Sequence, residues 1–560
     1  AARGKRGAGG RSSRGTGGWA IVSRSSSPYR TEVTRRSLLL LGALAGCAAD
    51  DAPPRPFEGT GSTTGSTADP ASTTVSSDAS DSPPADSTTT NSADSTTAEP
   101  PPPPLPGLWG EYFDRYHDLV LSRYEPGLDH VWGLEAPAPE LGVDRFSARF
   151  SGTLTPPATG SYTLASESDD GVRVWIDGAL VIDDWNAHFV TRTEASVALT
   201  EGVPVPILVE YFEVDIEASL RLLWSTEAMP EAVIGPEHLQ APAIDSGLPG
   251  PKPPYINPVV PFDCPDPGVV AVPEDDGTAA YYMVCTGGTF PIRHSRDLVF
   301  WEDTGAALLP AGKPTWAANG NRNWAPEIHR VGEGLVAYFT TVDGGNTLCI
   351  GAATADDPLG PWVESPGPLV QHPQGVIDAT YVEDDAGTPY LVYKIDGNSV
   401  GQPTPIFARQ LAPDRLTFAA GSMQVQLLVN DPGTWEGGVV EAPYFARHDG
   451  SWYLFYSGNV YDHRYRTGVA RSAALTGPYE KHGPPILANN GRWVGPGHGT
   501  VLELEGAAYF FYHAWTNAGD GTNLGAGGRN GLVDRIEWVD GWPTIHDGSP
   551  SRTWQPWPGP

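Results

Sequence analysis

The sequence lacks several features that mark common protein classes. Only four of its 560 residues are cysteine, which excludes a framework of several disulfide bonds. The apolar run near its N-terminus, residues 38–45, is too short to span a bilayer. In residues 107–240, apolar side chains do not follow the 3.6-residue period of an amphipathic helix, which argues against a helical domain there.

The small number of cysteines leaves one question open. Cys47 belongs to a signal described below, so Cys264, Cys285 and Cys349 remain. These three can form at most one bridge, and buried free thiols are an equal alternative.

Positive charge is scarce outside the N-terminus. Residues 1–47 carry nine Lys or Arg and one acid, whereas the whole chain has a formal net charge of −32, so the remainder carries −40. An acidic body repels phosphate backbones, which argues against nucleic acid as a partner. It suits neutral sugars, and the 18 Trp and 21 Tyr side chains suit both sugar stacking and β-sheet cores.

Residues 1–47 predict an export signal. Twin arginines at residues 35–36 precede the apolar run, and small residues then lead to Cys47. This order resembles a bacterial Tat signal with a lipobox, and the alternative is a chance apolar stretch. The resemblance implies export and a lipid on Cys47 as the membrane attachment. It places the protein at the bacterial cell envelope, either periplasmic or exposed at the surface.

Residues 48–106 consist mainly of Ser, Thr, Pro and Asp, with almost no large apolar side chain. Such a segment cannot bury enough surface to fold. We therefore expect a disordered linker that holds the folded part away from the membrane.

Residues 107–240 predict an all-β sandwich, because short alternating runs recur between turn signals. The opening Gly-Leu-Trp-Gly-Glu-Tyr-Phe, the Ser-Asp-Asp-Gly run at residues 168–171 and the closing Leu-Leu-Trp resemble a PA14 domain. The resemblance implies a glycan-binding or spacer module, which in some members holds calcium on the Asp-Asp pair. Asp169 and Asp170 are thus candidate Ca²⁺ ligands, and a purely structural turn is an equal alternative.

Residues 250–550 contain a repeat of about 55 residues, which predicts a five-bladed β-propeller. Five strand-like cores rich in Tyr, Val and Phe define the copies. A propeller directs its innermost strands to a central channel, so acids from separate blades can meet there. The cores are residues 279–284, 335–339, 389–393, 451–456 and 507–512.

Three acids stand at the edges of strand-like runs in this repeat. Asp266 lies in Cys-Pro-Asp-Pro, Asp378 in Val-Ile-Asp-Ala and Glu441 in Val-Glu-Ala-Pro. With Trp-Ala-Pro-Glu-Ile-His at residues 324–329 and Gly-His-Gly at residues 497–499, these motifs resemble glycoside hydrolase family 43 along nearly all of the repeat. One departure is Ala442, where Gly is frequent, and we expect its extra methyl to be tolerated.

The resemblance implies that each of the three acids has a separate catalytic role and that the reaction needs no cofactor. Asp266 matches the general base that activates water, and Glu441 matches the general acid that protonates the leaving oxygen. Asp378 matches the modulator that keeps the acid protonated, by like-charge repulsion, and orients it. Because the base needs room for water, we expect inversion and carboxylates of Asp266 and Glu441 roughly 6.5–9.5 Å apart.

The same part of the chain contains further candidate residues. His498 matches a central histidine that contacts a metal ion in several relatives, and the alternative is a hydrogen bond to a catalytic carboxylate. Trp324 and Trp435 are candidate sugar platforms, with core packing as an equal alternative. Glu327 is a reserve acid, although its motif favours a structural or subsite role.

These patterns predict an exported glycosidase that cleaves α-L-arabinofuranosyl or β-D-xylosyl linkages of hemicellulose or pectin. Its partner is a polysaccharide or oligosaccharide substrate. The alternative is a cell-surface glycan-binding protein whose propeller does not catalyse, against which the presence of all three acids argues. A fructan hydrolase is a third hypothesis, but such enzymes carry Asn-Asp-Pro where this chain has Cys-Pro-Asp-Pro.

Overall fold

The computed structural model describes residues 105–242, 245–274, 277–504, 506–519, 521–522 and 524–559. The expected signal, Cys47 and nearly all of the expected linker lie outside the described residues. Nearly all of the regular secondary structure in the described residues is β-strand, and the helices are two short 3-10 turns at Pro236–His238 and Gly397–Val400. No helix among these residues is long and apolar enough to cross a membrane. The predicted all-β class is confirmed.

The N-terminal part is a sandwich of two antiparallel sheets. Its strands are β1 (Leu105–Pro106), β2 (Leu108–Phe113), β3 (Leu119–Glu125), β4 (Asp129–Gly133), β5 (Phe146–Leu154), β6 (Gly160–Asp169), β7 (Val172–Ile176), β8 (Ala179–Asp184), β9 (Thr191–Leu199), β10 (Val205–Glu213), β11 (Ala218–Ser225), β12 (Ala232–Val233) and β13 (Leu239–Ala241). One sheet has the order β1-β13-β5-β10-β7-β8, with β2 between β3 and β5, and the other has the order β12-β11-β6-β9, with β4 on β11. Tyr112 and Phe150 of the first sheet and Trp224 of the second belong to one buried core.

The C-terminal part consists of five antiparallel sheets that follow one another along the chain. Blade 1 comprises β14 (Gly268–Pro273), β15 (Ala279–Val284), β16 (Pro291–Ser295) and β17 (Glu302–Ala307). Blade 2 comprises β18 (Trp324–Val331), β19 (Gly334–Val342), β20 (Leu348–Ala355), β21 (Val363–Glu364) and β22 (Val370–Gln371). Blade 3 comprises β23 (Val376–Glu383), β24 (Pro389–Ile395), β25 (Ile406–Gln410) and β26 (Val425–Leu428). Blade 4 comprises β27 (Val440–His448), β28 (Ser451–Gly458), β29 (Arg466–Ser472) and β30 (Glu480–Lys481), and blade 5 comprises β31 (Trp493–Leu504), β32 (Ala507–Asn517), β33 (Leu524–Val539) and β34 (Trp542–Ile545).

The five sheets close into a ring, because a separate apolar core joins each blade to the next. The core between blades 5 and 1 completes the ring and contains Phe511 and Met283. The first strands of neighbouring blades also contact one another all round. Val260, which precedes blade 1, pairs with Gly531 of blade 5, and thus latches the start of the ring to its end. These contacts confirm the predicted five-bladed propeller.

The first strand of each blade is locally irregular where it approaches the channel. Asp266, Asp378, Ala442 and His498 all have left-handed backbone angles, with φ between 45° and 55°. In blades 2 to 5 the pairing register shifts at the same place, which marks a β-bulge. A bulge adds a residue to one strand and redirects its side chains. The bulges therefore set which side chains face the channel.

A disulfide bond joins Cys264 to Cys285, and Cys349 is a buried free thiol. Of the two alternatives that the sequence left open, the structure shows the bridge. The bond ties the segment before β14 to the end of β15. Asp266 lies two residues after one cysteine, and Thr286 directly follows the other.

The sandwich contacts blade 1 and the C-terminal segment of the propeller. The guanidinium of Arg296 donates to the Asp118 carboxylate at 2.5 Å, and both side chains are about half exposed. The His117 ring meets the Trp557 ring edge-on, with 4.9 Å between ring centroids. Polar and aromatic contacts thus join the two parts.

Candidate active site

All five blades contribute side chains to one cavity of about 290 Å³. The three acids singled out from the sequence, which are far apart in the chain, all line it. The lining residues are Asp266, Thr286, Trp324, Ile377, Asp378, Lys394, Asp396, Asn398, Val439, Glu441, Val460, Tyr461, His498 and Arg529.

Asp266 lies among hydrogen-bond donors and cations. Its Oδ1 accepts from Nη1 of Arg529 at 2.9 Å and lies 3.3 Å from Nδ1 of His498. Its Oδ2 accepts from the Thr286 hydroxyl at 2.6 Å. Burial alone would raise the pKa of Asp266, but Arg529 and His498 hold it well below its usual range. Asp266 is therefore a carboxylate across the physiological pH range.

Two histidines beside Asp266 differ in charge. Burial lowers the pKa of His498, but Asp266 outweighs burial and raises it to about 9, so this ring is an imidazolium at neutral pH. His513 is fully buried, and burial together with Arg529 lowers its pKa well below the usual value. Its Nδ1 accepts from the Asp266 amide at 3.0 Å, which places the proton of the neutral ring on Nε2.

Asp378 sits in a different environment from Asp266. Burial raises its pKa to about 7, Glu441 and Asp266 add to the rise, and His498 and Lys394 oppose it. Its Oδ2 accepts from the amide of Ala442 at 3.1 Å, so it contacts the backbone directly after Glu441. Asp378 thus takes up a proton far more readily than an ordinary aspartate.

Both carboxylate oxygens of Glu441 have a donor. Nζ of Lys394 donates to Oε2 at 2.8 Å, and the hydroxyl of Tyr465 donates to Oε1 at 2.9 Å. Lys394 is 1% exposed and also donates to Asp396 at 3.1 Å. Burial would lower the pKa of Lys394, but Glu441 and Asp396 raise it above the usual value. An ammonium therefore lies against the side chain expected to be the acid.

Of the remaining candidates, one lines the cavity and two lie outside it. Trp324 lines the cavity. Trp435 lies outside the lining, packs on Tyr456 at 5.9 Å between ring centroids and belongs to the apolar core between blades 3 and 4. Glu327 is buried, pairs with His329 at 2.9 Å and is likewise outside the lining.

Sequence reasoning did not single out Lys394, Tyr465, Arg529 or Thr286. Each lies outside the acidic motifs, 20 or more residues along the chain from the acid that it contacts. One signal was available for Lys394, because a lysine directly after the apolar core at residues 389–393 is unusual for a buried strand. Arg529 lies in a Gly-rich run with no such signal.

Carboxylates that fit a hard cation lie in the sandwich. Asp169, Asp170 and Glu213 are buried, and they bring three oxygen atoms within 4.8 Å of one another. Burial first, then Asp170 and Asp169, raise the pKa of Glu213 to about 9. Its Oε1 has no hydrogen-bond partner among the described residues. Calcium prefers such oxygen ligands, so the donor set fits that ion.

His498 lies beside a cavity carboxylate. Its Nδ1 is 3.3 Å from Oδ1 of Asp266, which is the pairing expected under the second alternative for this histidine. The metal contact, the first alternative, stays a prediction.

The cavity can support acid and base chemistry on one bound molecule. Asp266 stays ionised, as a base that activates water must, and its cations fix its orientation. Glu441 lies on another blade with its own donors, and Asp378 contacts the peptide beside it. Two carboxyl groups in separate environments are the requirement for cleaving a glycosidic bond.

The N-terminal sandwich is similar to a domain found in other proteins. Residues 104–237 match the PA14 domain. In that region the chain is 33% identical over 130 residues to the anti-sigma-I factor RsgI3 of Acetivibrio thermocellus, an alignment that covers 23% of this chain and 20% of that relative. The chain thus spans only a fifth of the length of this relative.

The propeller has other relatives. The chain is 29% identical over 293 residues to arabinan endo-1,5-alpha-L-arabinosidase C of Emericella nidulans, covering 47% of this chain and 87% of the relative. It is 26% identical over 299 residues to the extracellular exo-alpha-(1->5)-L-arabinofuranosidase ArbA of Cellvibrio japonicus, covering 48% of this chain and 83% of the relative. Residues 255–543 match the model described as glycosyl hydrolases family 43. Because this match spans more than half of the chain and includes all three cavity acids, the protein belongs to glycosyl hydrolases family 43.

Proposed function

We propose that the protein is an exported glycosidase that hydrolyses α-L-arabinofuranosyl linkages, with β-D-xylosyl linkages as the second substrate class. The observation that carries this proposal is the meeting of Asp266, Asp378 and Glu441 in one cavity, each with different partners. The names of the two arabinan-cleaving relatives favour arabinan as the first substrate.

The proposed reaction is a single displacement with inversion. Glu441 donates its proton to the glycosidic oxygen as the bond from that oxygen to the anomeric carbon breaks, and the electron pair leaves with the oxygen. Water adds to the anomeric carbon from the opposite face and gives its proton to Asp266. Asp378 orients the acid through the backbone at Ala442. Trp324 and the imidazolium of His498 are proposed to contact the sugar, and Trp435 supports blade 4 from its core.

Two observations support export. A disulfide bond is typical of proteins in oxidising compartments, and Cys264 and Cys285 form one. The relative from Cellvibrio japonicus is named as extracellular. Lipid attachment at Cys47 and anchoring at the cell envelope belong to the same proposal. Mass analysis of the mature N-terminus from a bacterial host tests it, and a mature chain that retains residues upstream of Cys47 would contradict the lipobox.

We also propose that Asp169, Asp170 and Glu213 hold Ca²⁺ in the sandwich. The bound ion would fix the loop around residues 169–171 and offer further positions to sugar hydroxyls. Calcium should raise the melting temperature of the full-length protein, and Glu213→Gln should abolish that rise. Glu201→Gln, at an exposed acid of the same sandwich, is the matched control. A melting temperature that calcium leaves unchanged would contradict this site.

Product analysis tests the proposed activity. The full-length protein and its Glu441→Ala variant are incubated with linear arabinan, arabinoxylan and xylo-oligosaccharides. Release of arabinose or arabino-oligosaccharides by the parent alone is the expected result. Release of xylose alone would move the proposal to the second substrate class. Sugar binding without release by either protein would favour the non-catalytic glycan-binding alternative.

A further inference from the structure

Lys394 is a buried cation that bridges two blades at the cavity. It lies on β24 of blade 3, whereas the carboxylate it contacts, Glu441, lies on β27 of blade 4. Its side chain is 1% exposed, and its Nζ lies 2.8 Å from Oε2 of Glu441 and 3.1 Å from Oδ1 of Asp396. A lysine is almost never buried this deeply unless it is paired, and here both partners line the cavity.

This arrangement is a costly way to build a core. Taking an ammonium and two carboxylates out of water carries a desolvation penalty that their attraction barely repays. Apolar side chains would join blades 3 and 4 at least as well, as they do in the core between these blades. The position of Lys394 therefore calls for a role in the chemistry of Glu441.

The two donors on Glu441 are chemically unequal. The ammonium of Lys394 can only donate, so Oε2 must offer it a lone pair in every state. The hydroxyl of Tyr465 can donate or accept, so it is compatible with a proton on Oε1. Oε1 is thereby selected as the oxygen that carries the transferable proton. After transfer, both oxygens of the new carboxylate have a donor.

We propose that Lys394 is the positioning residue for the acid step: it fixes Glu441 through Oε2, directs the proton to Oε1 and balances the negative charge that Glu441 acquires as the proton leaves. This inference rests on the proposed glycosidase function. Asp396 acts through Lys394, because it holds the ammonium from its other side. The charge balance grows as the bond breaks, so its effect falls on the transition state.

The leaving group provides the test, because a good leaving group does not need an acid. The full-length parent and Lys394→Met are compared on dinitrophenyl α-L-arabinofuranoside, which leaves without protonation, and on an arabino-oligosaccharide, which requires it. We expect kcat of Lys394→Met to fall about 100-fold or more on the oligosaccharide, the size of a general-acid contribution, and only a few-fold on the aryl glycoside.

A matched control is available in blade 4. Lys481 pairs with the buried Glu436 at 2.7 Å but lies outside the cavity, so Lys481→Met removes a similar pair without touching the acid. It should leave the ratio of the two substrates unchanged. If Lys394→Met does not fold, Lys394→Gln provides the same comparison, since it also removes the charge.

The rate losses on the two substrates distinguish a positioning role of Lys394 from a structural one. A loss in Lys394→Met that is equal on both substrates would indicate a purely structural role and overturn the inference, as would unchanged kinetics. A parent that cleaves neither substrate would overturn the proposed function itself, and this inference with it. A loss confined to the oligosaccharide, absent in Lys481→Met, supports it.

Discussion

At the scale of single residues, the cavity distinguishes its carboxyl groups by their neighbours. Asp266 has Arg529, His498 and Thr286 around it and stays ionised. Asp378 is buried beside other carboxylates, and its pKa rises to about 7. Environments that push carboxyl groups in opposite directions are typical of acid–base enzymes.

Removal of Arg529 should affect the base. Against burial, Arg529 and His498 hold the pKa of Asp266 well below its usual range, so Arg529→Met should raise it. We expect the acid limb of the kcat/KM profile against pH to move to higher pH. Arg471→Met, which breaks an exposed pair with Glu480 away from the cavity, is the control and should leave the limb in place. An unmoved limb in Arg529→Met would show that another group is the base.

Asp378 should limit stability at neutral pH. Folding raises the pKa of this carboxyl from about 4 to about 7. Below pH 4 the group therefore does not lower the free energy of unfolding, and it lowers it progressively as pH rises through the folded value. Asp378→Asn should therefore raise the free energy of unfolding at pH 8 and leave it nearly unchanged at pH 4, while lowering kcat. Urea unfolding at the two pH values measures this.

Asp384 of the same blade serves as the control, because its substitution should change stability in the opposite direction. Backbone amides in a turn outweigh burial and lower the pKa of Asp384, so its contribution is present above the unfolded value and is lost in acid. Asp384→Asn should lower stability at pH 8. Stabilisation by both substitutions would contradict this electrostatic account.

At the scale of elements, the bulged first strand of each blade is the device that builds the cavity. Glu441 opens the bulge in β27, and the next residue, Ala442, has a φ of 55°. A left-handed angle costs a non-glycine residue about 1–2 kcal/mol. The strand therefore bears local strain where it presents the acid.

This strain can be measured with a pair of Ala→Gly substitutions. Ala442 and Ala446 are both buried in β27, but only Ala442 is left-handed. Both substitutions lose a methyl group and add chain entropy, whereas only Ala442→Gly releases strain. We expect Ala446→Gly to cost about 1–2 kcal/mol more stability than Ala442→Gly. Equal losses would show that the bulge is unstrained and that the tolerance expected for Ala442 has another cause.

The disulfide is the second element-level device. It joins the segments that carry Asp266 and Thr286, which are hydrogen-bonded to each other. Replacing Cys264 and Cys285 by alanine should lower the free energy of unfolding by about 2–4 kcal/mol and reduce kcat. Cys349→Ala, at the buried free thiol, should reduce stability less and leave kcat unchanged. An active, fully stable double variant would contradict a role for the bridge in fixing the base.

At the scale of the whole molecule, much of the fold could be predicted from the sequence. The 55-residue repeat predicted five blades because each blade places similar apolar strands at similar spacing, and the ring of five cores confirms it. The family 43 assignment is confirmed by the match over residues 255–543. The three acids could be recognised because each lies within a short sequence motif near the start of a blade.

The partners of the acids could not be predicted in the same way. Lys394 and Tyr465 contact Glu441, and Arg529 contacts Asp266, from strands or loops whose spacing shows no link to these acids. Their contacts depend on how adjacent blades pack and on bulges that shift side chains by one position. For the same reason Trp324 and Trp435 looked equivalent in the sequence, although only Trp324 lines the cavity.

The most direct test of the whole account is the configuration of the first product. Proton NMR during the first turnovers of the full-length protein on an α-L-arabino-oligosaccharide distinguishes the two anomers before they equilibrate. We expect the β-anomer at early times, since water activated by Asp266 attacks opposite the bond that Glu441 breaks. Early α-anomer would contradict the separation of base and acid, and no sugar at all would contradict the glycosidase assignment.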